Sequence, residues 1–182
     1  MSKEINVLIE NCKKGNQKAQ MQVYNLYCEA MFFIAFRYLK NEEEAKDAMQ
    51  EGFLKAFLKL DVNFKEIAFG AWLKKIIINQ CIDVLKKKKI ETISLEEHPL
   101  QIVDDDDWYF DARITKRMVL AAIEKLPEKY QIVVNLYLIE GYNHSEISEI
   151  MEIPIKTSRT HLRRGKLQLQ ELLKEKKNEA GY

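Results

Sequence analysis

The stretch NHSEISEIMEIPIKTSRTHLRRGK, residues 143–166, contains two short amphipathic runs separated by a kink at Ile153-Pro154. The first run is acidic. The second run, from Lys156 to Lys166, carries five lysines and arginines and no acidic residue. Two short helices joined by a tight turn, with the second one basic, are typical of a helix-turn-helix. The stretch therefore predicts a helical domain in which residues 156–166 are the candidate recognition helix.

A helical wheel of the second run separates its apolar side chains from its polar ones. The inward face is predicted to hold Ile155, Leu162, Leu169, Leu172 and Leu173, and the outward face Lys156, Arg159, Thr160, Arg163 and Lys166. Cations neutralise phosphates, and Arg and Thr side chains can reach base edges in the major groove. A solvated helix face usually carries Glu four residues from its cations, but no Glu follows Lys156 until Glu171. The pattern therefore favours DNA binding over an ordinary solvated face.

Most of the remaining chain is also predicted to be helical. Apolar residues recur at helical spacing in residues 5–13, 18–39, 42–60, 68–88, 114–126 and 127–140, and no useful strand-like alternation occurs. Asn143 and Glu146 are spaced as a capping box, and Gly141 suits a left-handed helix end. With 47% hydrophobic and 31% charged residues, the composition is typical of a soluble protein with a packed core. The sequence predicts an all-α fold.

Charge is distributed unevenly along the chain although the formal net charge is only +1. Residues 91–111 contain eight acidic residues and no Lys or Arg, whereas the flanking segments are both basic. We therefore predict two small helical domains, residues 1–90 and 113–182, joined by an acidic linker at residues 91–112. The linker is either a solvated connection or a polyanion mimic for a basic groove that otherwise holds nucleic acid.

Three segments in order resemble bacterial extracytoplasmic-function (ECF) RNA polymerase sigma factors. They are AKDAMQEGFLKAFLKL (residues 45–60), AWLKKIIINQCIDVLKKKK (residues 71–89) and LPEKYQIVVNLYLIEGYNHSEISEIMEIPIKTSRTHLRRGKLQLQELL (residues 126–173). The resemblance extends from about residue 8 to residue 173. It implies a first domain that holds core RNA polymerase and the minus-ten promoter element, and a second domain that binds the minus-thirty-five element.

The first segment resembles the helix with which the family docks on the coiled coil of the polymerase β′ clamp. The matching positions are Asp47, Gln50, Glu51 and Leu54. These residues lie away from the apolar stripe of their predicted helix and offer hydrogen-bond acceptors together with an apolar anchor. Without the resemblance, a solvated acidic face would be the favoured interpretation.

The second segment resembles the surface that melts and holds the minus-ten element. Lys75, Asn79 and Lys86 share one side of the predicted helix, where lysines can neutralise phosphate and the amide can bond a base edge. Residues 61–68 match the loop that captures a flipped-out base in the family. Its main side chain here is Phe64, on which an unstacked base could stack.

The third segment resembles the reader of the minus-thirty-five element. The matching positions are Thr157, Arg159, Thr160, Arg163, Arg164 and Lys166. The chain departs from the family pattern at Lys156, where Gly is common, at Ser158, where an apolar Val usually packs, and at His161, where Arg is common. Ser158 is predicted to face inward, where it either loosens the helix slightly or caps the turn.

The predicted function is that of an alternative sigma factor in the cytoplasm, with core RNA polymerase and promoter DNA as partners. The resemblance leaves open an anti-sigma factor as a further partner. No Gly-rich phosphate loop, nucleophile elbow or cluster at metal-ligand spacing is present in the sequence, so we expect no enzyme activity, cofactor, metal or small-molecule substrate. Its apolar runs are too short for membrane insertion. One alternative is a stand-alone helix-turn-helix regulator that binds operator DNA as a dimer. Another is a protein-interaction adapter that sequesters a different regulator.

Overall fold

A computed structural model describes residues 2–60, 69–91 and 114–179. The regular structure in these ranges is entirely helical, and the helices divide into two compact units, one within Met1–Leu95 and the other within Glu96–Tyr182. The prediction of an all-α fold with two helical units is confirmed. Phe64 and the predicted linker, apart from its first residue, lie outside the described residues.

The first unit contains the helices α1 (Ser2–Lys13), α2 (Gln17–Leu39), α3 (Glu42–Lys59) and α4 (Phe69–Glu91). Its helix starts are set locally: the side chain of Asn16 accepts a hydrogen bond from the Ala19 N–H, and that of Asn41 accepts one from the Glu44 N–H. Helices α2, α3 and α4 pack against one another. Their fully buried side chains include Phe53, Leu73, Ile77, Ile78 and Ile82.

Helices α3 and α4 lie close together and are joined by polar side chains. Gly52 allows this approach, because a β-carbon at that position would collide with the end of the Ile77 side chain. Lys55 of α3 donates a hydrogen bond to the Gln80 side chain of α4, and Lys88 Nζ lies 2.6 Å from a Glu44 carboxylate oxygen. The helix predicted to dock on polymerase is thus held against the helix predicted to hold the minus-ten element.

The second unit contains α5 (Lys116–Ile123), α6 (Glu128–Val134), a π-helix (Asn135–Ile139), α7 (His144–Met151) and α8 (Ile155–Glu179). The prediction of one α-helix over residues 127–140 is wrong in its last part, where five residues adopt π-helical hydrogen bonding. A π-turn contains an extra residue and changes the direction of the side chains that follow it. Gly141 ends this segment with a φ of +79°, as predicted.

Helices α7 and α8 form the predicted helix-turn-helix. Asn143 accepts hydrogen bonds from the Ser145 and Glu146 N–H groups, and the Glu146 carboxylate accepts one from the Asn143 N–H, so the capping box is confirmed. Glu152 takes a left-handed conformation at the end of α7. The Ser148 hydroxyl then donates to the Ile153 carbonyl at 2.6 Å and fixes the turn.

Candidate DNA-binding and protein-docking surfaces

The buried face of α8 begins at its fourth residue. Its buried residues are Ser158, Leu162, Gly165, Leu169 and Leu173. The prediction that Ile155 faces the core is wrong: its side chain is 42% exposed, since burial on this helix begins only one turn later, at Ser158. Leu162, Leu169 and Leu173 are buried as predicted, whereas Leu172 is only half-buried.

The opposite face of α8 presents the predicted DNA-contact residues to solvent. Arg159 and Lys156 are exposed, and Thr157, Thr160, Arg163 and Lys166 are half-buried. The Thr160 hydroxyl donates to the Lys156 carbonyl at 3.0 Å, so its oxygen lone pairs remain available as acceptors. This face combines cations with hydroxyl groups, which are the groups that phosphates and base edges bind.

Two side chains at the flank of α8 contact Tyr130 of α6. Arg164 donates from Nη1 to the Tyr130 hydroxyl at 3.2 Å. His161 packs edge-on against the Tyr130 ring, with 5.5 Å between ring centroids. Both residues therefore help to hold α8 on α6, in addition to the DNA-binding role that the resemblance predicts for Arg164.

The predicted minus-ten residues of the first unit lie on one accessible side of α4. Lys75 and Asn79 are exposed and Lys86 is half-buried, at helical positions i, i+4 and i+11. Aromatic rings pack at the start of the same helix. The centroid of the Phe69 ring lies 5.7 Å from that of the Trp72 ring and 5.5 Å from that of the Tyr27 ring. This packing fixes the end of α4 that follows residues 61–68.

The predicted docking residues on α3 form an accessible stripe. Asp47, Gln50, Glu51 and Leu54 are all exposed, and the Leu54 side chain is 64% exposed. The structure adds Leu58, which is 86% exposed and continues the same stripe one turn further. Sequence reasoning missed Leu58, although its spacing of four residues from Leu54 is a usable signal.

The described residues contain no group of three or more His, Cys, Asp and Glu side chains that could hold a metal ion. The cysteines Cys12 and Cys81 are buried free thiols, and burial raises the pKa of Cys81 to about 12. A buried thiol with a raised pKa is a poor nucleophile at neutral pH. Within the same described part of the chain, no helix is both long and apolar enough to cross a membrane.

Comparison with known proteins identifies a sigma-factor region in each unit. Residues 23–90 match the family model "Sigma-70 region 2", and residues 116–169 match "Sigma-70, region 4". The ECF RNA polymerase sigma factor SigW of Bacillus subtilis (strain 168) is 32% identical over 178 residues, which cover 92% of this chain and 95% of SigW. The ECF RNA polymerase sigma-E factor of Escherichia coli (strain K12) is 26% identical over 171 residues, which cover 88% and 89% of the two chains.

Two solved structures have a similar fold. The sigma factor RpoE of Bartonella quintana, in complex with the anti-sigma factor NepR, is 21% identical with a TM-score of 0.52, over 85% of this chain and 96% of the other. CnrH, in complex with the cytosolic domain of CnrY, is also 21% identical with a TM-score of 0.52, over 93% and 96%. At 21% sequence identity, these two comparisons show a similar fold and nothing further.

Proposed function

The chain belongs to the family of ECF RNA polymerase sigma factors, and from that premise we propose that it binds core RNA polymerase, directs the enzyme to specific promoters and helps to open the DNA. Its own contribution is binding, without formation or cleavage of a covalent bond, and it acts in the cytoplasm without a cofactor. DNA opening is driven by the capture of unstacked bases together with the contacts that polymerase makes.

The observation that carries this proposal is the accessible stripe on α3. Its members occupy helical positions i, i+3, i+4, i+7 and i+11 and combine acceptors with apolar anchors: Asp47, Gln50, Glu51, Leu54 and Leu58. Burial of a leucine side chain stabilises a complex by about 1.5–3 kcal/mol. Two exposed leucines among acidic and amide side chains therefore suit a partner helix with apolar and basic groups, as expected for the β′ clamp.

The DNA-contacting parts of the proposal rest on α4 and α8. Lys75, Asn79 and Lys86 give α4 an accessible side with two cations and an amide, which suits the minus-ten strand. Arg159, Thr160 and Arg163 give α8 an outward face for the minus-thirty-five duplex. Phe64 is proposed to stack on an unpaired base.

The exposed surfaces of both units also suit a regulatory partner. We propose an anti-sigma factor, the class of protein bound to RpoE in the structural neighbour named above. Such a partner would compete with polymerase for the α3 stripe. Competition between a purified anti-sigma candidate and core polymerase for the chain would measure this directly.

The test of the proposed function is reconstitution with core RNA polymerase and a set of promoter fragments. We expect promoter-specific transcripts from the wild-type chain. Asp47→Arg combined with Gln50→Ala should abolish association with core polymerase while the circular dichroism spectrum stays unchanged, because it reverses a charge and removes an acceptor on an exposed face. If the chain binds a palindromic operator as a dimer and does not bind core polymerase, it is instead a stand-alone regulator.

Leu58 provides a second test with a matched control. Leu58→Ser should weaken association with core polymerase by about tenfold, because one apolar anchor is lost from the interface. Val7→Ser changes another exposed apolar residue, which is 62% exposed and belongs to α1 rather than α3, and should leave association unchanged. Equal effects of the two substitutions would contradict the assignment of Leu58 to the docking face.

A further inference from the structure

A hydrogen bond crosses the helix-turn-helix where the family pattern has an apolar contact. His144 is the first residue of α7, and Ser158 lies in the first turn of α8 with its side chain fully buried. His144 Nδ1 and Ser158 Oγ are 2.9 Å apart. Because a buried hydroxyl without a partner is unfavourable, this bond holds the start of α7 to the segment of α8 between Thr157 and Arg159.

The His144 ring also packs against Tyr137, a residue of the π-helix. The Tyr137 ring stacks on the His144 ring, with 4.9 Å between centroids and 29° between planes. Lys166 Nζ lies 6.0 Å from the centroid of the same Tyr137 ring. Contacts therefore run from Ser158 through His144 and Tyr137 and return to α8 two turns later, at Lys166.

We propose that His144, Ser158 and Tyr137 are positioning residues for promoter recognition, which fix the orientation of α8 relative to α7. The proposal rests on the proposed function, because it concerns how α8 meets the minus-thirty-five element. Hydrogen bonds to base edges need donor–acceptor distances of about 2.7–3.2 Å and good alignment. A directional bond within the first turn of α8 restricts the helix more than a non-directional apolar contact does.

This role has a specific consequence for DNA binding. Contacts to phosphates orient a protein on the duplex but carry no direct sequence information, whereas contacts to base edges discriminate between sequences. If α8 loses its fixed orientation, the outward residues Arg159, Thr160 and Arg163 can still reach phosphates. Discrimination between sequences should therefore fall while affinity for unrelated DNA is retained.

The experiment uses holoenzyme formed from the full chain and core polymerase. A library randomised in the minus-thirty-five region first yields the element that the wild type selects. Affinities are then measured for that promoter and for one with a scrambled minus-thirty-five region. His144→Ala and Ser158→Ala should each lower the ratio of the two affinities by roughly two- to tenfold, as expected for one hydrogen bond, with the affinity for the scrambled promoter unchanged.

Further variants separate positioning from a loss of stability. The double variant should be no worse than His144→Ala alone, because Ser158→Ala then removes no further bond. His144→Asn, whose amide reaches about as far as Nδ1 but has no ring to stack on Tyr137, should restore part of the discrimination, and Tyr137→Ala should lower it. Ser145→Ala removes an exposed hydroxyl from the same helix α7 and should behave as the wild type.

Two results would overturn the inference, and they differ in whether the proposed function survives. If the wild-type holoenzyme selects a minus-thirty-five element and the His144 and Ser158 variants discriminate as well as it does, the positioning role is wrong and the proposed function stands. If the wild-type chain selects no element at all, the proposed function fails and the positioning role fails with it.

Discussion

Glu152 ends helix α7 in a conformation that is unfavourable for a residue with a side chain. Its φ of 55° and ψ of 41° are left-handed, where a β-carbon crowds the following carbonyl oxygen. Glycine adopts this conformation without that crowding. We therefore expect Glu152→Gly to raise the free energy of unfolding by about 1 kcal/mol, measured by urea denaturation of the full chain followed by circular dichroism.

The control for this prediction is the same substitution within the same helix. Glu149 is exposed in α7 and has ordinary helical geometry. Glu149→Gly should lower the free energy of unfolding by about 1 kcal/mol, because glycine is unfavourable inside a helix. Two substitutions with the same sign would show that the backbone conformation at Glu152 is not the cause.

The two ends of α7 differ in how well the sequence predicts them. Asn143 and Glu146 are three residues apart and satisfy one another's backbone groups, so their capping box could be read directly from the sequence. Gly141 could be assigned to a left-handed turn for the same local reason. The sequence has no glycine at Glu152, and the left-handed residue there is imposed by the turn into α8.

Helices α6 and α8 approach closely at Gly165. A β-carbon at this position would lie 2.5 Å from Val134 Cγ2 and 3.3 Å from Tyr130 Cβ. Val134 is fully buried and β-branched, so it has few alternative conformations. We expect Gly165→Ala to separate the helices and lower the free energy of unfolding by about 1–3 kcal/mol, as determined by urea denaturation.

A second substitution tests whether this contact is responsible. Val134→Ala removes the methyl group that the new β-carbon would meet, although it also removes buried apolar surface. Gly165→Ala should therefore be less destabilising in the Val134→Ala background than in the wild type. Additive effects of the two substitutions would contradict the proposed collision.

Helical spacing predicted the elements of this chain better than it predicted their contacts. The outward residues of α3 and α8 follow from periodicity, because an amphipathic helix buries one face. The π-helix continues directly from α6, and the apolar spacing of residues 127–140 did not distinguish it from an α-helix. Tyr137 was missed for that reason, and its contacts with His144 and Lys166 appear only in the structure.

At the scale of the whole molecule, the uneven charge distribution predicts an effect on DNA binding. The predicted acidic linker is an acidic strip between two basic segments, and its densest part is the run of four aspartates at residues 104–107. If the strip competes with DNA for basic surfaces, changing all four to Asn should strengthen binding of the free chain to non-specific duplex. Fluorescence anisotropy over a range of salt concentrations measures this affinity and its salt dependence.

The control separates competition by the strip from net charge alone. The four Asn substitutions change the formal net charge from +1 to +5. The same change results from substituting Gln for four exposed glutamates elsewhere: Glu29, Glu43, Glu149 and Glu171. Exposed charges farther apart than about 8 Å are largely screened at physiological ionic strength, so the dispersed variant should gain much less affinity. Equal gains in affinity would show that net charge is the cause and that the strip is only a solvated connection.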